Sequence, residues 1–241
     1  TYGVTNMDLT SAYASIANGG TYQKPVLYTK VVDHNGNILL SNTQKGKRVM
    51  KESTAFLLTD AMKDVITKGT GKSAKLSSSM VVAGKSGTTS NSYDYWFSGY
   101  TPYHTASVWM GYDKNTDFAS DNTHKKIWAK VMNEIIKTKQ EQTTDFKKPA
   151  DIVKAKVCKE SGKLAIKGVC DHDPRGSRVI TEYFEKGTVP TQTCDIHVAV
   201  EVCKTSDKLA TKNCPANKKQ RKIYIVRKKG SHGKTADTPY L

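Results

Sequence analysis

The sequence predicts an α+β fold, in which an antiparallel sheet with flanking helices is followed by a small, cysteine-bearing extension of strands and loops. Three observations predict it. Segments with helical periodicity bracket three closely spaced apolar strands in the first part of the chain. Helical periodicity ends at Pro149, and all five cysteines lie beyond that residue. We therefore expect one domain over residues 1–145 and an extension over residues 146–241.

The first predicted helix covers residues 7–18, with Asn6 able to cap its start and Gly19-Gly20 able to end it. One helical face carries the apolar residues Leu9, Ala12, Tyr13, Ile16 and Ala17. Residues 26–32 and 38–40 are predicted to form a hairpin, because an Asn-Gly step lies in the loop between them.

A second helix is predicted over residues 54–68, with Ser53 as its cap and Gly69-Thr70-Gly71 as its end. Its apolar face carries Leu58, Ala61, Met62, Val65 and Ile66. Three strands follow over residues 80–88, 95–100 and 106–112. Their short connections predict an antiparallel meander. A third helix, over residues 125–137, has an apolar face of Ile127, Trp128, Val131, Met132, Ile135 and Ile136.

The extension repeats itself. Residues 157–165 (Val-Cys-Lys-Glu-Ser-Gly-Lys-Leu-Ala) match residues 202–210 (Val-Cys-Lys-Thr-Ser-Asp-Lys-Leu-Ala). Each copy is followed by a second cysteine, Cys170 or Cys214. The repeat predicts two similar small loops, each closed at its neck.

The chain carries a formal net charge of +16, which suits an anionic partner such as nucleic acid, lipid head groups or a wall polymer. The basic residues are densest in residues 218–222 and 227–229. We interpret them first as a solvated tail and second as a surface that binds an anionic cell-wall polymer. Nucleic acid is not expected as a partner, because such sites interleave aromatic with basic residues and only Tyr224 lies there.

The sequence contains neither a run of 18 apolar residues nor a secretory leader. It begins at Thr1, in a loop that leads into the first helix, so we expect a fragment of a longer protein. Such a fragment can have lost both a membrane anchor and a leader.

The strand at Lys85 carries a recognisable chemistry, because Lys85-Ser86-Gly87 is followed by Thr88 and Thr89. Strand alternation places Ser86 and Thr88 on one face, about 7 Å apart, where two hydroxyls can hold a carboxylate. Gly87 lets a substrate backbone lie against the strand, and Lys85 adds a positive charge. Taken alone, a Lys-Ser-Gly string also fits an ordinary exposed strand.

Other strings agree in order and spacing with one family. They are Gly3-Val4-Thr5 and residues 9–13, 17–20, 68–71, 94–102, 108–113, 161–165, 182–184 and 187–190. Lys85-Ser86-Gly87 is similar to the Lys-Thr-Gly element of penicillin-binding proteins, with the hydroxyl kept at Ser86. On these strings, nearly the whole chain resembles the C-terminal part of class A (bifunctional) penicillin-binding proteins, including their C-terminal extension.

The resemblance implies a β-lactamase/transpeptidase-like fold, here incomplete, and the DD-transpeptidase reaction that crosslinks peptidoglycan. It implies that Ser86, Gly87 and Thr88 bind the carboxylate end of a D-Ala-D-Ala stem peptide or of a β-lactam. The Thr88 N–H would be an oxyanion-hole donor. Lys85 would assist proton transfer through the serine of a Ser-x-Asn element, and Thr89 would have a weaker role.

The resemblance also implies that the parent protein needs no cofactor and acts at the extracytoplasmic face of the cell membrane. Its anchor would be an N-terminal segment absent from this sequence, next to an upstream glycosyltransferase domain. The competing interpretation is a non-catalytic module that binds wall polymer through the basic extension.

The nucleophile of the family belongs to a Ser-x-x-Lys string that, like Ser-x-Asn, precedes the Lys-Thr-Gly strand. Here Ser231-His232-Gly233-Lys234 and Ser120-Asp121-Asn122 both follow that strand. We therefore interpret both as chance matches. The fragment alone is predicted to be inactive.

The cysteine spacing within each repeat suits the closing of a small loop by a disulfide. We prefer the pairs Cys158–Cys170 and Cys203–Cys214 with Cys194 unpaired, and a Cys158–Cys194 link stays open. The oxidising surroundings of a cell-surface protein agree with disulfides.

No Cys-x-x-Cys pair occurs in the sequence, so no metal site is predicted. His172, next to Asp173, and His197, near Cys194, are interpreted first as surface or packing histidines and second as a metal site.

Overall fold

A computed structural model describes residues 3–226. They form two compact units that divide between Ala150 and Asp151. The α-helices of this range are α1 (Asn6–Ala17), α2 (Glu52–Thr67) and α3 (Thr123–Lys139). Its strands are β1 (Thr21–Tyr22), β2 (Lys30–Val32), β3 (Ile38–Ser41), β4 (Lys47–Arg48), β5 (Ala83–Thr88), β6 (Asp94–Tyr100), β7 (Thr105–Gly111), β8 (Ile152–Cys158), β9 (Val179–Glu185), β10 (His197–Cys203), β11 (Lys208–Leu209) and β12 (Lys219–Ile225). None of the helices in residues 3–226 is long and apolar enough to span a bilayer.

The centre of the first unit is a three-stranded antiparallel sheet in the order β5-β6-β7. The predicted meander is therefore confirmed, although β5 begins at Ala83 and not near residue 80. Apart from this sheet, β1 pairs with β4 and β2 pairs with β3, each as a two-stranded antiparallel ribbon. With its flanking helices, this sheet confirms the predicted α+β class.

One face of the central sheet packs against α3. Trp128 and Met132 of α3 and Phe97 of β6 are fully buried, and the rings of Phe97 and Trp128 meet edge to face at 5.2 Å. The Trp128 Nε1–H donates a hydrogen bond to the Ala106 carbonyl at 3.0 Å. Gly99 is required under these rings, because a Cβ there would lie 2.7 Å from Phe97 and 2.9 Å from Trp128.

The other face packs against α1 and α2. Strand alternation places Tyr100 on the face opposite to Phe97, and its ring is fully buried. Its apolar neighbours are Tyr13, Ile16, Ala17, Met62, Ala83 and Phe146. The Tyr100 hydroxyl bonds Thr59 Oγ1 at 2.8 Å. Phe146, predicted to open the extension, packs on Tyr100 with ring centroids 5.4 Å apart, so the compact first unit continues to Ala150.

Helix starts differ from the prediction by a few residues. The N-cap of α1 is Thr5 and not Asn6, because Thr5 keeps an extended backbone and its Oγ1 accepts the Asp8 N–H at 3.1 Å. Ser53 lies inside α2, where it is buried, because this helix begins at Glu52. The N-cap position of α2 is Lys51, which makes no side-chain capping hydrogen bond. In both helices the backbone conformation, which the sequence pattern does not contain, decides where the helix begins.

The predicted hairpin is present, and Asp33 organises its turn. The Asp33 carboxylate accepts the N–H groups of Asn35 at 2.9 Å and Asn37 at 2.8 Å, and Gly36 takes a φ of +85°. The first strand is shorter than predicted, because β3 provides partners only for Lys30–Val32.

The second unit contains the repeat as two similar structures, which we call the hooks (residues 157–164 and 202–209). In each hook the valine before the cysteine pairs with the leucine of the Lys-Leu-Ala end. The same repeat position has a positive φ in both hooks, 69° at Gly162 and 52° at Asp207. The N–H of each of these two residues donates to the carbonyl of its hook's cysteine at 2.8 Å. The two similar sequences therefore form the same local structure.

The two hooks are closed differently. Cys203 and Cys214 form a disulfide, at the predicted pair. The predicted Cys158–Cys170 disulfide is not formed: both residues are buried thiols, packed together with Cys194. The chain between the first hook and β10 brings a third sulfur to the same place, so the spacing within the repeat does not select one pair.

His172 and His197, which received the same interpretation from the sequence, differ in their burial. His172 is exposed. His197, at the start of β10, is buried beside the three thiols and is therefore not a surface residue.

Candidate active site

The predicted site lies on β5, which forms one edge of the central sheet. Ala83 and Gly84 are buried, whereas Lys85, Gly87 and Thr88 are exposed. Within the described residues β5 pairs with β6 alone, so the backbone groups along its outer edge stay available. An open strand edge of this kind can bind an extended peptide by strand addition.

Lys85 brings positive charge to this edge together with a second lysine. The Lys85 Nζ donates to the Ser86 carbonyl at 2.7 Å. Burial and, to a smaller extent, the nearby charge of Lys85 lower the pKa of Lys125, at the start of α3. Lys125 donates to Asn122 Oδ1 at 2.7 Å. The two ammonium groups raise the local potential, which favours an anionic ligand.

The Ser86 hydroxyl lies 2.9 Å from Thr70 Oγ1. Thr70 follows the end of α2 in a turn that returns close to the helix. A Cβ on Gly69 would lie 2.9 Å from the Val65 Cα, and a Cβ on Gly71 would lie 2.8 Å from a side-chain atom of Ile66. Both glycines therefore permit the close approach that holds Thr70 beside Ser86.

Thr70 and Lys125 are members of this site that the sequence pattern does not indicate. Residues 68–71 were part of the family resemblance, which gave Thr70 no role, and Lys125 was only the first residue of a predicted helix. For Thr70, the resemblance of residues 68–71 was the available signal. The contact itself joins residues 16 positions apart, which no local pattern specifies.

Gly87 is not required by the packing of the protein itself. A Cβ at this position would meet its closest neighbour, Trp96 Cβ, at 3.5 Å, which is an ordinary contact. An alanine therefore fits the sheet, and any need for glycine must come from a molecule that approaches β5 from outside.

Thr88 presents its backbone N–H to the open edge. The next residue, Thr89, donates its N–H inward to the Asp94 carbonyl at 3.1 Å. Successive N–H groups of a strand point to opposite edges, so the Thr88 N–H points away from β6. Thr88 is exposed and shares a strand face with Ser86. One outward N–H and two hydroxyls therefore lie along the same short edge.

Thr89 has a partner within the protein. Its hydroxyl donates to Asp94 Oδ2 at 2.9 Å and accepts the Asp94 N–H at 2.9 Å. Asp94 Oδ1 in turn accepts the Trp109 Nε1–H at 2.8 Å. Thr89 thus fixes the connection between β5 and β6, and a direct contact with substrate stays a prediction.

The Ser120-Asp121-Asn122 string lies at the start of α3, where its side chains bond the first turn of the helix. Ser120 Oγ lies 3.1 Å from His124 Nδ1. Hydrogen bonds from Thr123 and Lys126 lower the pKa of Asp121 to about 2. Ser231-His232-Gly233-Lys234 lies outside the described residues. The interpretation of both strings as chance matches stays a prediction.

Comparisons with known proteins identify the family of the chain. Residues 2–137 match the family model of the penicillin-binding protein transpeptidase domain. Residues 148–199 match the C-terminal domain of penicillin-binding protein 1A. The chain is 37% identical over 231 residues to penicillin-binding protein 1A of Clostridium botulinum, with 93% of this chain and 27% of that protein covered. It is 32% identical over 205 residues to penicillin-binding protein 1A/1B of Bacillus subtilis, with 78% and 22% covered.

A solved structure shares the fold. The crystal structure of penicillin-binding protein 1A from Haemophilus influenzae superposes with a TM-score of 0.62 at 23% identity, over 79% of this chain and 33% of that chain. The chain spans about a quarter of the length of the two relatives described above. The family resemblance inferred from the sequence is confirmed. Since the transpeptidase model matches more than half of its residues, the chain belongs to the penicillin-binding protein transpeptidase family.

Proposed function

We propose that this chain forms the Lys-Ser-Gly wall of the active site of a peptidoglycan DD-transpeptidase. The observation that carries the proposal is the open edge of β5, where Lys85, the Ser86 hydroxyl and the outward Thr88 N–H lie together. The family membership supports this reading over a non-catalytic wall-polymer module. In the proposed assignment, the first unit, predicted to end at residue 145 and ending at Ala150, belongs to the transpeptidase domain, and the second unit is its extension.

In the complete protein, a serine Oγ attacks the carbonyl carbon between the two D-alanines of a stem peptide. The Oγ–C bond forms, the C–N bond breaks, and a proton passes to the departing D-alanine amine. An amine of a neighbouring peptidoglycan strand then attacks the acyl carbon. The N–C bond forms, the Oγ–C bond breaks, and a proton from the amine returns to the serine oxygen. A β-lactam reacts as in the first step: the serine Oγ attacks its carbonyl carbon, and the C–N bond of the ring breaks.

The residues of β5 act on this reaction in three ways. The hydroxyls of Ser86 and Thr88, assisted by the charges of Lys85 and Lys125, hold the terminal carboxylate. The Thr88 N–H donates to the carbonyl oxygen, on which negative charge develops in the transition state. Lys85 acts through the serine of a Ser-x-Asn element as part of the proton path to the leaving amine.

We place the whole protein at the extracytoplasmic face of the membrane, where its stem-peptide substrate is found. We assign the nucleophilic serine to a Ser-x-x-Lys segment outside this chain, because the Ser-x-x-Lys string at Ser231 follows β5 instead of preceding it. We therefore expect the chain alone to be inactive and to complete its site together with the Ser-x-x-Lys and Ser-x-Asn segments of the domain.

Covalent labelling with a fluorescent penicillin tests the proposal. The 241-residue chain should show no adduct on a denaturing gel or by intact mass. A chimera in which this chain replaces the matched part of the Clostridium botulinum relative should be labelled. An excess of unlabelled penicillin should abolish the signal. A stoichiometric adduct on the chain alone, lost in Ser231→Ala, would contradict the assignment of the nucleophile.

Gly87→Ala tests whether glycine is required at this position for substrate binding or for packing of the sheet. Because the added Cβ meets Trp96 Cβ at 3.5 Å, the free energy of unfolding should change by less than about 1 kcal/mol. Acylation of the chimera should nevertheless slow, since the Cβ occupies the path of the ligand backbone. Gly99→Ala is the matched control outside the site: its Cβ would lie 2.7 Å from Phe97 and 2.9 Å from Trp128, so it should destabilise by about 1–3 kcal/mol. Unchanged acylation in Gly87→Ala would argue against ligand binding along β5.

A further inference from the structure

Three thiols and one imidazole meet in the interior of the second unit. Cys158 ends β8, His197 begins β10, and Cys170 and Cys194 lie in the connections between strands. All four residues are buried. Their four ligand atoms lie within 4.8 Å of one another. None of them belongs to the site on β5.

The sulfur-to-nitrogen distances within this cluster are close to those of a tetrahedral zinc site. His197 Nδ1 lies 3.3 Å from Cys158 Sγ and 3.4 Å from Cys194 Sγ. With zinc bonds of about 2.3 Å to sulfur and 2.0–2.1 Å to nitrogen, tetrahedral geometry requires sulfur-to-nitrogen distances of about 3.6 Å and sulfur-to-sulfur distances of about 3.8 Å. Small movements of side chains therefore suffice to place all four atoms on one ion.

A second layer orients the imidazole toward the sulfurs. His197 Nε2 lies 2.8 Å from Asp173 Oδ2, and both side chains are fully buried. An ionised carboxylate only accepts hydrogen bonds, so Nε2 carries the proton and Nδ1 presents its lone pair to the thiols. Arg175 holds Asp173 through both carboxylate oxygens, at 3.0 and 2.8 Å. A carboxylate behind a ligating histidine is the usual second layer of zinc sites.

The surroundings also suit thiolate charge. The Ile166 N–H donates to Cys170 Sγ at 3.3 Å, and the His197 N–H donates to Cys194 Sγ at 3.5 Å. One zinc ion with three thiolates carries a net charge of −1, and Asp173 adds another. Arg175 and Arg178, with nitrogens 2.8 and 4.0 Å from the Asp173 carboxylate, offset this charge.

We propose that Cys158, Cys170, Cys194 and His197 bind one Zn²⁺ ion. Soft thiolates and a neutral imidazole in a four-ligand set select zinc over the oxygen-preferring cations. All four positions are filled by protein and buried, which makes the site structural and not catalytic. The ion closes the first hook, as the Cys203–Cys214 disulfide closes the second.

The sequence contains a signal for this site in His197 near Cys194, which the sequence alone favoured only as a second interpretation. Cys194 and His197 form a Cys-x-x-His pair, the short ligand spacing of structural zinc sites with a histidine in place of one cysteine. The second repeat has no counterpart of this pair after Cys214 among the described residues.

Metal analysis of the complete 241-residue chain, purified under reducing conditions with zinc supplied, tests the proposal. We expect one zinc per chain by mass spectrometry. Cobalt substituted for zinc should give thiolate charge-transfer bands and the intense visible bands of tetrahedral coordination. Because the cobalt spectrum is recorded on the unaltered chain, the test does not depend on the folding of a variant.

Variants then assign the ligands. Cys194→Ser and His197→Gln should lose the stoichiometric metal, whereas His197→Cys should keep it with an altered cobalt spectrum. Asp173→Asn should weaken zinc affinity by about 10- to 100-fold. The matched control is the double variant Cys203→Ser/Cys214→Ser, which removes two cysteines outside the cluster and should keep the zinc.

Thiol alkylation gives an independent readout. Cys158, Cys170 and Cys194 should resist iodoacetamide in the metal-loaded chain and react after a chelator is added. A folded chain that binds neither zinc nor cobalt when supplied would overturn the proposal. A native disulfide between any two of these three cysteines, found by peptide mapping of the chain purified without reductant, would overturn it as well. The penicillin-labelling result is independent of both outcomes.

Discussion

Replacement of Lys85 by methionine should slow acylation of the chimera by penicillin about 10²- to 10⁴-fold, the range that positioned proton transfer contributes. Methionine keeps the length of the side chain and removes the ammonium group. Lys85 is exposed on an edge strand and its Nζ bonds a backbone carbonyl, so the fold does not depend on its charge. The measurement is the second-order rate constant of labelling with fluorescent penicillin.

Lys130→Met is the matched control for this variant. Lys130 is an exposed lysine of α3, outside the proposed site, and its replacement should leave the labelling rate within about twofold, since surface substitutions away from such features change energies by about 0.5 kcal/mol or less. If Lys85→Met and Lys130→Met label at the same rate, Lys85 has no part in acylation. The proposed roles of β5 would then be limited to those of Ser86 and Thr88.

Trp128→Ala should lower the free energy of unfolding of the first unit by about 3–5 kcal/mol, because the substitution empties the centre of its core. Trp128 is fully buried against Phe97, and its Nε1–H satisfies the Ala106 carbonyl. Truncation leaves a cavity and removes the hydrogen bond from Trp128 Nε1–H to the Ala106 carbonyl. Urea denaturation of the 241-residue chain, followed by far-ultraviolet circular dichroism, measures the loss.

Trp109→Ala provides the comparison on the neighbouring strand. Trp109 is 40% exposed and bonds Asp94, so its truncation removes less buried surface and should cost clearly less than that of Trp128. Equal losses for the two variants would mean that the packing of α3 on β6 is not the main source of stability in this unit.

The regular elements of the first unit could be predicted because their signals are local. The sequence predicts β6 and β7 as apolar strands with short connections. It predicts α3 as a helix with an apolar stripe that includes Trp128 and Met132. Their antiparallel pairing follows from connection length alone. The caps could not be predicted, because Thr5 and Asn6 are both good capping residues and the backbone angles decide between them.

The site on β5 was predictable in its chemistry and only partly in its neighbours. Alternation along one strand relates Ser86 to Thr88, so the sequence suffices for that pair. Thr70 lies in the turn after α2, and Lys125 lies on α3. The positions of both residues depend on how these helices pack on the sheet. The folded structure alone brings such residues together, since no spacing along the chain encodes a contact between separate elements.

The cysteines show the division between sequence and structure most clearly. The sequence by itself determined the family, the α+β class and the repeat, and the repeat produced two equal hooks. The spacing also predicted the Cys203–Cys214 disulfide, which forms. Only the tertiary structure decided that Cys158 meets Cys170, Cys194 and His197 instead of forming a disulfide with Cys170 alone. The reason is physical: a turn of a few residues is fixed by its own torsion angles, whereas a contact such as Cys158–His197, between residues 39 positions apart, depends on the packing of everything between them.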